Sequence, residues 1–278
     1  MTFQMMKRVT KKNLCPICNK PDWCLAAEDG SAAICQRIEQ GSVKRCGDAG
    51  WLHLLKDRHD SHKRHTIISR ISIDFGNRKN FKKLAELYKQ QLTKDRLFWL
   101  SKRLNLSAES LIKLNVGWDG NAFTFPMSNV DGRVIGIRRR FPNGAKVSVK
   151  GSKTGLFIPT DLSHENVLLI CEGPSDTAAA LDLGFSAIGR PNCNSLIKMT
   201  ASAVKGHKDI VIVGDNDLAG KTGAERLAKY LALRCSTVRI IYPSDRIKDL
   251  RDWLRAGLTH DELLNIIDTT KSLRMELR

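Results

Sequence analysis

The sequence predicts an α/β fold, α+β over the chain as a whole. A parallel sheet with helices on both faces follows a β-meander and a small N-terminal cysteine-rich module. Three observations predict it. Short, almost wholly apolar runs alternate with helical stretches from Asn166 onward, the pattern of strands buried on both faces. Asp131-Gly132 and Asn143-Gly144 separate β-rich segments, and such dipeptides favour tight hairpin turns. Five of the eight cysteines fall between Cys15 and Cys46, a density that marks a metal site in a cytosolic chain.

The cysteine-rich module is expected over residues 1–55. Cys15-Pro-Ile-Cys18 has the two-residue gap that lets two thiolates converge on one Zn²⁺, as in a zinc ribbon. Two further ligands come from Cys24, Cys35 or Cys46; Cys24 and Cys35 are expected, with Cys46 in reserve. The stretch Lys20–Gly47 is too short and too polar to bury a core alone, so one structural zinc supplies the missing folding energy. The knuckle alone specifies a small rigid platform, and Arg37, Lys44, Arg45 and Trp51 nearby are compatible with nucleic-acid contact. Cys171, Cys193 and Cys235 are read as structural thiols. A charged, aperiodic stretch from Lys56 to His65 opens a linker over residues 56–80, and His59, His62 and His65 are read as solvated linker residues rather than ligands.

A helical and meander region is expected over residues 81–160. Leu84, Leu87, Tyr88, Leu97, Leu100 and Leu104 recur at helical spacing and predict two or three short helices ending near Val116. Strands follow at Ala122–Met127, Arg133–Phe141 and Ala145–Lys150. Between Asp131 and Asp161 there is no acid, but there are seven bases: Arg133, Arg138, Arg139, Arg140, Lys146, Lys150 and Lys153. Alternation puts Arg138 and Arg140 on one face, expected to meet solvent, and Arg139 on the other with Ile135, Ile137 and Phe141. Lys146 and Lys150 lie opposite Val147 and Val149. A strand with one apolar and one cationic side suits phosphate, so Arg138, Arg139, Arg140, Lys146, Lys150 and Lys153 are candidate nucleic-acid or nucleotide contacts. Arg190, Lys198 and Lys221 are weaker ones.

The parallel part is expected over residues 161–245, with C-terminal helices over 246–278. Its strands are Val167–Cys171, Ser186–Gly189, Asp209–Val213 and Ser236–Tyr242. Helices fit Ser175–Leu183, Asn194–Val204 and Gly220–Leu233. Thr259 with Glu262 forms a capping box for a closing helix.

Charge narrows the partner. Lys plus Arg is 46 against 29 acids, a net charge of +17 and a pI near 9.7, which points to a polyanion. No run approaches the ~20 apolar residues that span a bilayer, and MTFQMMKRVTKKNL has no signal-peptide core. A cytoplasmic protein without a membrane partner is expected.

The most informative residues are Glu172, at the end of one apolar strand, and Asp215 and Asp217, just after another. In an open α/β sheet, ligand sites form beyond the carboxyl ends of strands where their order reverses. Three acids around one crevice repel one another unless a cation holds them, and Mg²⁺ accepts a few carboxylates plus water and phosphate oxygens. Gly173 and Gly214 are expected to admit close approach of a phosphate, and Asp176 to cap the helix that follows. Gly214–Thr222 is not a P-loop, because five residues rather than four separate its glycines. Nor is it a calcium loop, whose fifth and twelfth positions would be Ala219 and Arg226.

Glu172-Gly173-Pro174-Ser175-Asp176, followed by Gly214-Asp215-Asn216-Asp217 after an apolar strand, resembles the Toprim fold of primases, topoisomerases and certain nucleases. The order of zinc module, helices, basic meander and Toprim domain is similar to that of replicative DNA primases. The segments CPIC, SVKR, GWLHLL and KDLRDWLRAG (Lys248–Gly257) resemble the phage and plasmid primase–helicase branch. The resemblance implies a DNA-directed RNA polymerase, a nucleotidyltransferase of DNA replication that makes short RNA primers. It implies catalytic Mg²⁺ or Mn²⁺ on Glu172, Asp215 and Asp217, a single-stranded DNA template, nucleoside triphosphates, and a replicative helicase in trans. Two departures stand out: no His occupies the second ligand position of the zinc module, and no helicase domain with an ATP-binding P-loop follows. Two rivals stay open: a Toprim nuclease using the same metal, and a catalytically silent single-strand-binding protein that recruits a helicase.

Overall fold

The computed structural model describes residues 6–55, 80–163, 167–244 and 246–273. The linker stretch with His59, His62 and His65 lies outside the described residues. Two compact units divide the chain, residues 1–72 and 73–278.

The first unit is an antiparallel sheet of five short strands: β1 (Met6–Arg8), β2 (Leu25–Ala27), β3 (Ala32–Cys35), β4 (Lys44–Arg45) and β5 (Trp51–Leu54), in the order β1-β2-β3-β5-β4. Its buried centre is Val9, Cys15, Cys24 and Cys35. Three of those four side chains are thiols, so apolar burial alone cannot carry this unit. Gly50 turns the chain into β5 at φ +106°, and a Cβ there would sit 2.4 Å from the Cys35 carbonyl oxygen. Only glycine fits.

The second unit begins with α1 (Phe81–Gln90), α2 (Lys94–Leu104) and α3 (Ala108–Lys113). Asn80, Thr93 and Ser107 cap them, each side chain accepting a backbone N–H three residues on. The meander has four strands where three were expected: β6 (Gly117–Trp118), β7 (Phe123–Ser128), β8 (Val134–Arg140) and β9 (Lys146–Ser148), paired antiparallel in that order. The extra strand, β6, is two residues long, too short for alternation to reveal.

The rest alternates: β10 (Leu168–Glu172), α4 (Gly173–Asp182), β11 (Ser186–Arg190), α5 (Ile197–Ala203), β12 (Asp209–Val213), α6 (Leu218–Ala232) and β13 (Thr237–Ile241). Then come α7 (Leu250–Arg255) and α8 (His260–Thr269), the latter opened by the Thr259–Glu262 capping box. The four strands are parallel in the order β11-β10-β12-β13. One face packs against α5 and α6; the other shares a core with α2, α3, α4, α8 and the buried side of the meander. Asp182 fastens the two parts by accepting the Ser107 N–H (2.8 Å) and the Ser110 hydroxyl (2.6 Å). No helix among the described residues is long and apolar enough to cross a membrane.

Candidate active site and metal centre

The thiols of Cys15, Cys18, Cys24 and Cys35 all lie within 4.8 Å of one another. Cys15 and Cys18 come from the loop after β1, Cys24 immediately precedes β2, and Cys35 ends β3. Sulfur separations of 3.7 Å (Cys18–Cys24) and 4.0 Å (Cys24–Cys35) match the tetrahedral edge of about 3.8 Å set by a zinc–sulfur bond of about 2.3 Å. Backbone N–H groups of Gln36, Arg37 and Ile38 donate to the Cys24 and Cys35 sulfurs at 3.3–3.5 Å. Cys46 is half-buried and outside this group. Burial pushes the Cys18 thiol up, but hydrogen bonds from the Lys20 backbone, Cys15, Cys24 and Arg37 outweigh it and leave it at about 7. Cys24, whose burial is not so offset, rises to about 12. Four such thiols suit a soft divalent cation. Arg37 was expected to reach toward nucleic acid. Instead its guanidinium donates to the Cys18 and Cys24 sulfurs (3.8 and 3.7 Å) and to the Asp22 carbonyl (2.9 Å), and pairs with the Asp22 carboxylate.

In the second unit, β10 is flanked by β11 on one side and β12 on the other, so the strand order reverses between β10 and β12. Glu172 ends β10, and Asp215 and Asp217 follow β12. Asp217 caps α6, accepting the Gly220 N–H at 2.8 Å. Asn216 holds this loop to the chain before α7: its N–H donates to the Lys248 carbonyl (2.7 Å), and its amide reaches the Ile247 carbonyl (3.3 Å). That latch brings in Asp249, the cap of α7.

Asp176 does not cap its own helix. It is buried and accepts the Arg251 backbone N–H at 3.0 Å from α7. Burial, then Asp249, drives its pKa up to about 8, against the pull of Arg251. Burial, then Glu172 and Asp249, takes Asp215 to about 7. Glu172 is raised by burial, held back by the Cys193 N–H and Arg190, and pushed further by Asp217. Among the described residues only the cysteine quartet forms a closed cluster of ligand atoms. Glu172, Asp215 and Asp217 lie near enough to repel one another without forming such a closed cluster, and a hard cation completing its shell with water and phosphate suits that donor set. Asp249 and Arg251 were not singled out from sequence, because their place beside Asp176 depends on a latch spanning more than seventy residues.

The glycines divide. Gly173, at φ +86°, makes the turn from β10 into α4. Gly214 serves packing rather than phosphate approach, since a Cβ there would meet the Tyr242 ring at 2.5 Å.

The arginine triplet also divides. Arg139 pairs with the Asp119 carboxylate and lies 4.7 Å over Phe141, so its guanidinium is engaged within the fold. Arg140 does not meet open solvent as expected. Half-buried, it stands opposite Phe123 on β7 and Lys146 on β9. Burial lowers its pKa, with Arg251 and Arg103 adding to the effect and Asp176 opposing it. Lys146 is lowered by desolvation and by Arg140. Arg138 shares that side, opposite Phe125 and Ser148. Lys150 and Lys153 follow β9 on the exposed surface. Val149 packs under Ile137, but Val147 is exposed, so β9 has no continuous apolar side.

Arg190 is the residue that sequence underrated. It ends β11 directly opposite Glu172, is 4% exposed, and donates to the Asn192 carbonyl (3.3 Å) and the Cys193 carbonyl. Its second terminal nitrogen, Nη1, is buried without a partner. Lys198 and Lys221 are exposed, on α5 and in the first turn of α6.

No protein-family model and no curated protein matches the sequence. Solved structures do. The chain is similar to the E. coli primase catalytic core, with a TM-score of 0.57 at 16% identity, covering 69% of this chain and 79% of that one. It is similar to a DnaG primase catalytic domain bound to single-stranded DNA (TM-score 0.57, 16% identity, 69% and 77% covered). A third is the primase of Aquifex aeolicus, zinc-binding and RNA polymerase domains (TM-score 0.59, 14% identity, 70% and 60% covered). Its parallel sheet, meander and helices thus give this chain the fold of the DNA primase catalytic cores.

Proposed function

We propose that this chain is a DNA primase of the Toprim type, making short RNA primers on single-stranded DNA by metal-dependent nucleotidyl transfer. One observation carries the proposal: Glu172 and the Asp215–Asp217 loop meet at the reversal of strand order, with Glu172 and Asp215 both raised in pKa by burial and by neighbouring acids. Such repulsion is relieved by a bound cation. Glu172, Asp215 and Asp217 would hold Mg²⁺ or Mn²⁺, which when bound neutralises triphosphate charge and favours attack by a 3′-hydroxyl.

The chain's own residues do the rest. Asn216 and Asp217 fix the acidic loop against α6 and the segment before α7. Arg190 and the Cys193 N–H orient Glu172. Arg138, Arg140, Lys146, Lys150 and Lys153 bind template or triphosphate, while Arg139 keeps β8 in register with the Asp119 turn. Cys15, Cys18, Cys24 and Cys35 would hold one structural zinc that makes the first unit rigid enough to contact the template. A cytoplasmic location suits these reduced thiols, and a replicative helicase in trans is the proposed source of the single strand.

The test is direct. Purified chain is incubated with single-stranded DNA, labelled ribonucleotides and Mg²⁺ or Mn²⁺, and the products are sized. Short RNA made only with template supports the proposal. Cleavage of DNA without nucleotides points to the nuclease rival, and DNA binding without either product points to a recruitment module.

A further inference from the structure

Helix α2 buries Leu100 and Leu104, with Leu97 packed beside them. A helix facing water ordinarily carries polar side chains on its other side. This one carries two aromatics there: Phe98 is 63% exposed and Trp99 44% exposed. Helical spacing sets Lys102 and Arg103 one turn further along the same face, and the Lys102 ammonium lies 5.4 Å from the Phe98 ring centre.

Trp99 is held in place. Its ring stacks on Phe123 at 5.7 Å and 6°, and Phe123 meets Trp118 edge-on at 4.8 Å. Phe123 stands opposite Arg140, and Arg140 opposite Lys146. Residues directly opposite in a sheet share a face. Beneath Trp99 the buried Phe123 shares its sheet face with Arg140 and Lys146. The outer face of α2 therefore lies beside those two cations, and Arg140 feels Arg103 of α2 as well as Asp176 and Arg251.

We propose that the outer face of α2 is a stacking platform for single-stranded nucleic acid. Phe98 and Trp99 take unpaired bases, Lys102 and Arg103 take the phosphates between them, and the Arg140–Lys146 row leads the strand to the carboxylates. The identity of that strand as template rests on the primase proposal; the platform itself does not. Exposed aromatics flanked by cations suit a single strand, because each base offers a π-face that a duplex hides. A protein partner could cover two aromatics, but α2 also carries Lys94, Arg96, Lys102 and Arg103 against a single acid, Asp95. That charge complements a polyanion.

The test uses the full, zinc-loaded chain without added Mg²⁺ or nucleotides, with a labelled oligothymidylate and a duplex of equal length read by anisotropy. Phe98→Ala and Trp99→Ala should each weaken single-strand binding about tenfold and leave duplex binding nearly unchanged. Trp99→Phe, which keeps a ring against Phe123, should retain most of the affinity. Reversing charge with Lys102→Glu and Arg103→Glu together should weaken binding and flatten its salt dependence. Phe98 is exposed enough that its loss leaves the melting temperature in place, so a folding defect is separable. Parental affinity in Phe98→Ala and in the charge-reversed variant overturns the platform. So does an equal loss on single strand and duplex. If those variants bind DNA normally but lose capture of a protein partner, the face is a protein-docking site and the proposal fails. Absence of primers in wild type, with the binding losses still seen, overturns the primase proposal alone.

Discussion

The thiol quartet and the carboxylate site, the proposed places of two different cations, are opposites. The quartet is closed: four soft donors drawn from twenty-one residues of chain, Cys15 to Cys35, all within 4.8 Å. The carboxylate site is spread out: Glu172, Asp215 and Asp217 come from two strand ends and span forty-six residues of chain, brought together by a parallel sheet and a loop latch. A zinc in the first would be bound once, and its binding would be folding. The second, on the proposed function, gathers repelling charge for a cation that arrives with substrate, and its unit has two extensive apolar clusters. The proposed structural site would complete a fold that lacks a large core, whereas the proposed catalytic site gathers like charge in a fold that has one.

The contrast can be broken at its strongest point first. Removing zinc with a chelator, or replacing Cys15 or Cys24 by Ser, should unfold the first unit entirely. Structural zinc contributes on the order of 10 kcal/mol in such modules. The second unit should keep its melting transition, and calorimetry with zinc analysis reads both. Loss of both transitions together would show that the two sites are not independent.

Next in size are Asp215→Asn and Asp217→Asn. Each should cut primer synthesis about 10²–10³-fold while single-strand binding holds or improves. Priming at the parental rate would remove the crevice from the chemistry. A smaller effect sharpens the closed site: Arg37→Ala removes the guanidinium that touches two sulfurs, and such outer contacts are worth about 10–100-fold in metal affinity. Competition with a zinc indicator measures it, and Arg37→Ala holding zinc as tightly as the parent would reduce Arg37 to an ion pair with Asp22.

The smallest effect concerns pH. Asp215 titrates at about 7 and Asp176 at about 8 in the folded chain, against 3.8 for an ordinary aspartate. Because these folded values are raised, the native state keeps protons that the unfolded chain has released. Their contribution is therefore fully present below about pH 4 and lost as pH rises through 7 to 8. A divalent cation binds the ionised form, so Mg²⁺ should raise the melting temperature by more at about pH 8 than at about pH 6. An equal increment at both pH values would mean the cation binds elsewhere.

This same contrast explains what the sequence made legible. The thiol ligands lie close along the chain, and a two-residue gap between Cys15 and Cys18 is a local geometric statement. Glu172, Asp215 and Asp217 were legible as a set because parallel strands present their carboxyl ends to one edge. Asp176 was misplaced because a local rule, the helix cap, competed with a partner in α7. Arg140 was misplaced because alternation tells which face a side chain takes but not what covers that face. Arg190 was underrated because its register opposite Glu172 depends on the β10–β11 pairing. For the outer face of α2, the sequence signal is an aromatic pair, Phe98 and Trp99, just off the Leu97–Leu100–Leu104 stripe.

The hydrogen bond from Arg251 to Asp176 has a consequence for how the molecule comes into being. Synthesis runs from the N-terminus, so β10, α4, β12 and the acidic loop all leave the ribosome before Asp249 and Arg251 do. Until α7 docks, nothing brings the Arg251 N–H or the Asp249 charge to Asp176. The emerging chain thus carries its principal carboxylates in an unfinished setting, and the arrival of one short helix both shields Asp176 and completes the crevice. The setting of these acids becomes a property acquired late, at a defined length of chain.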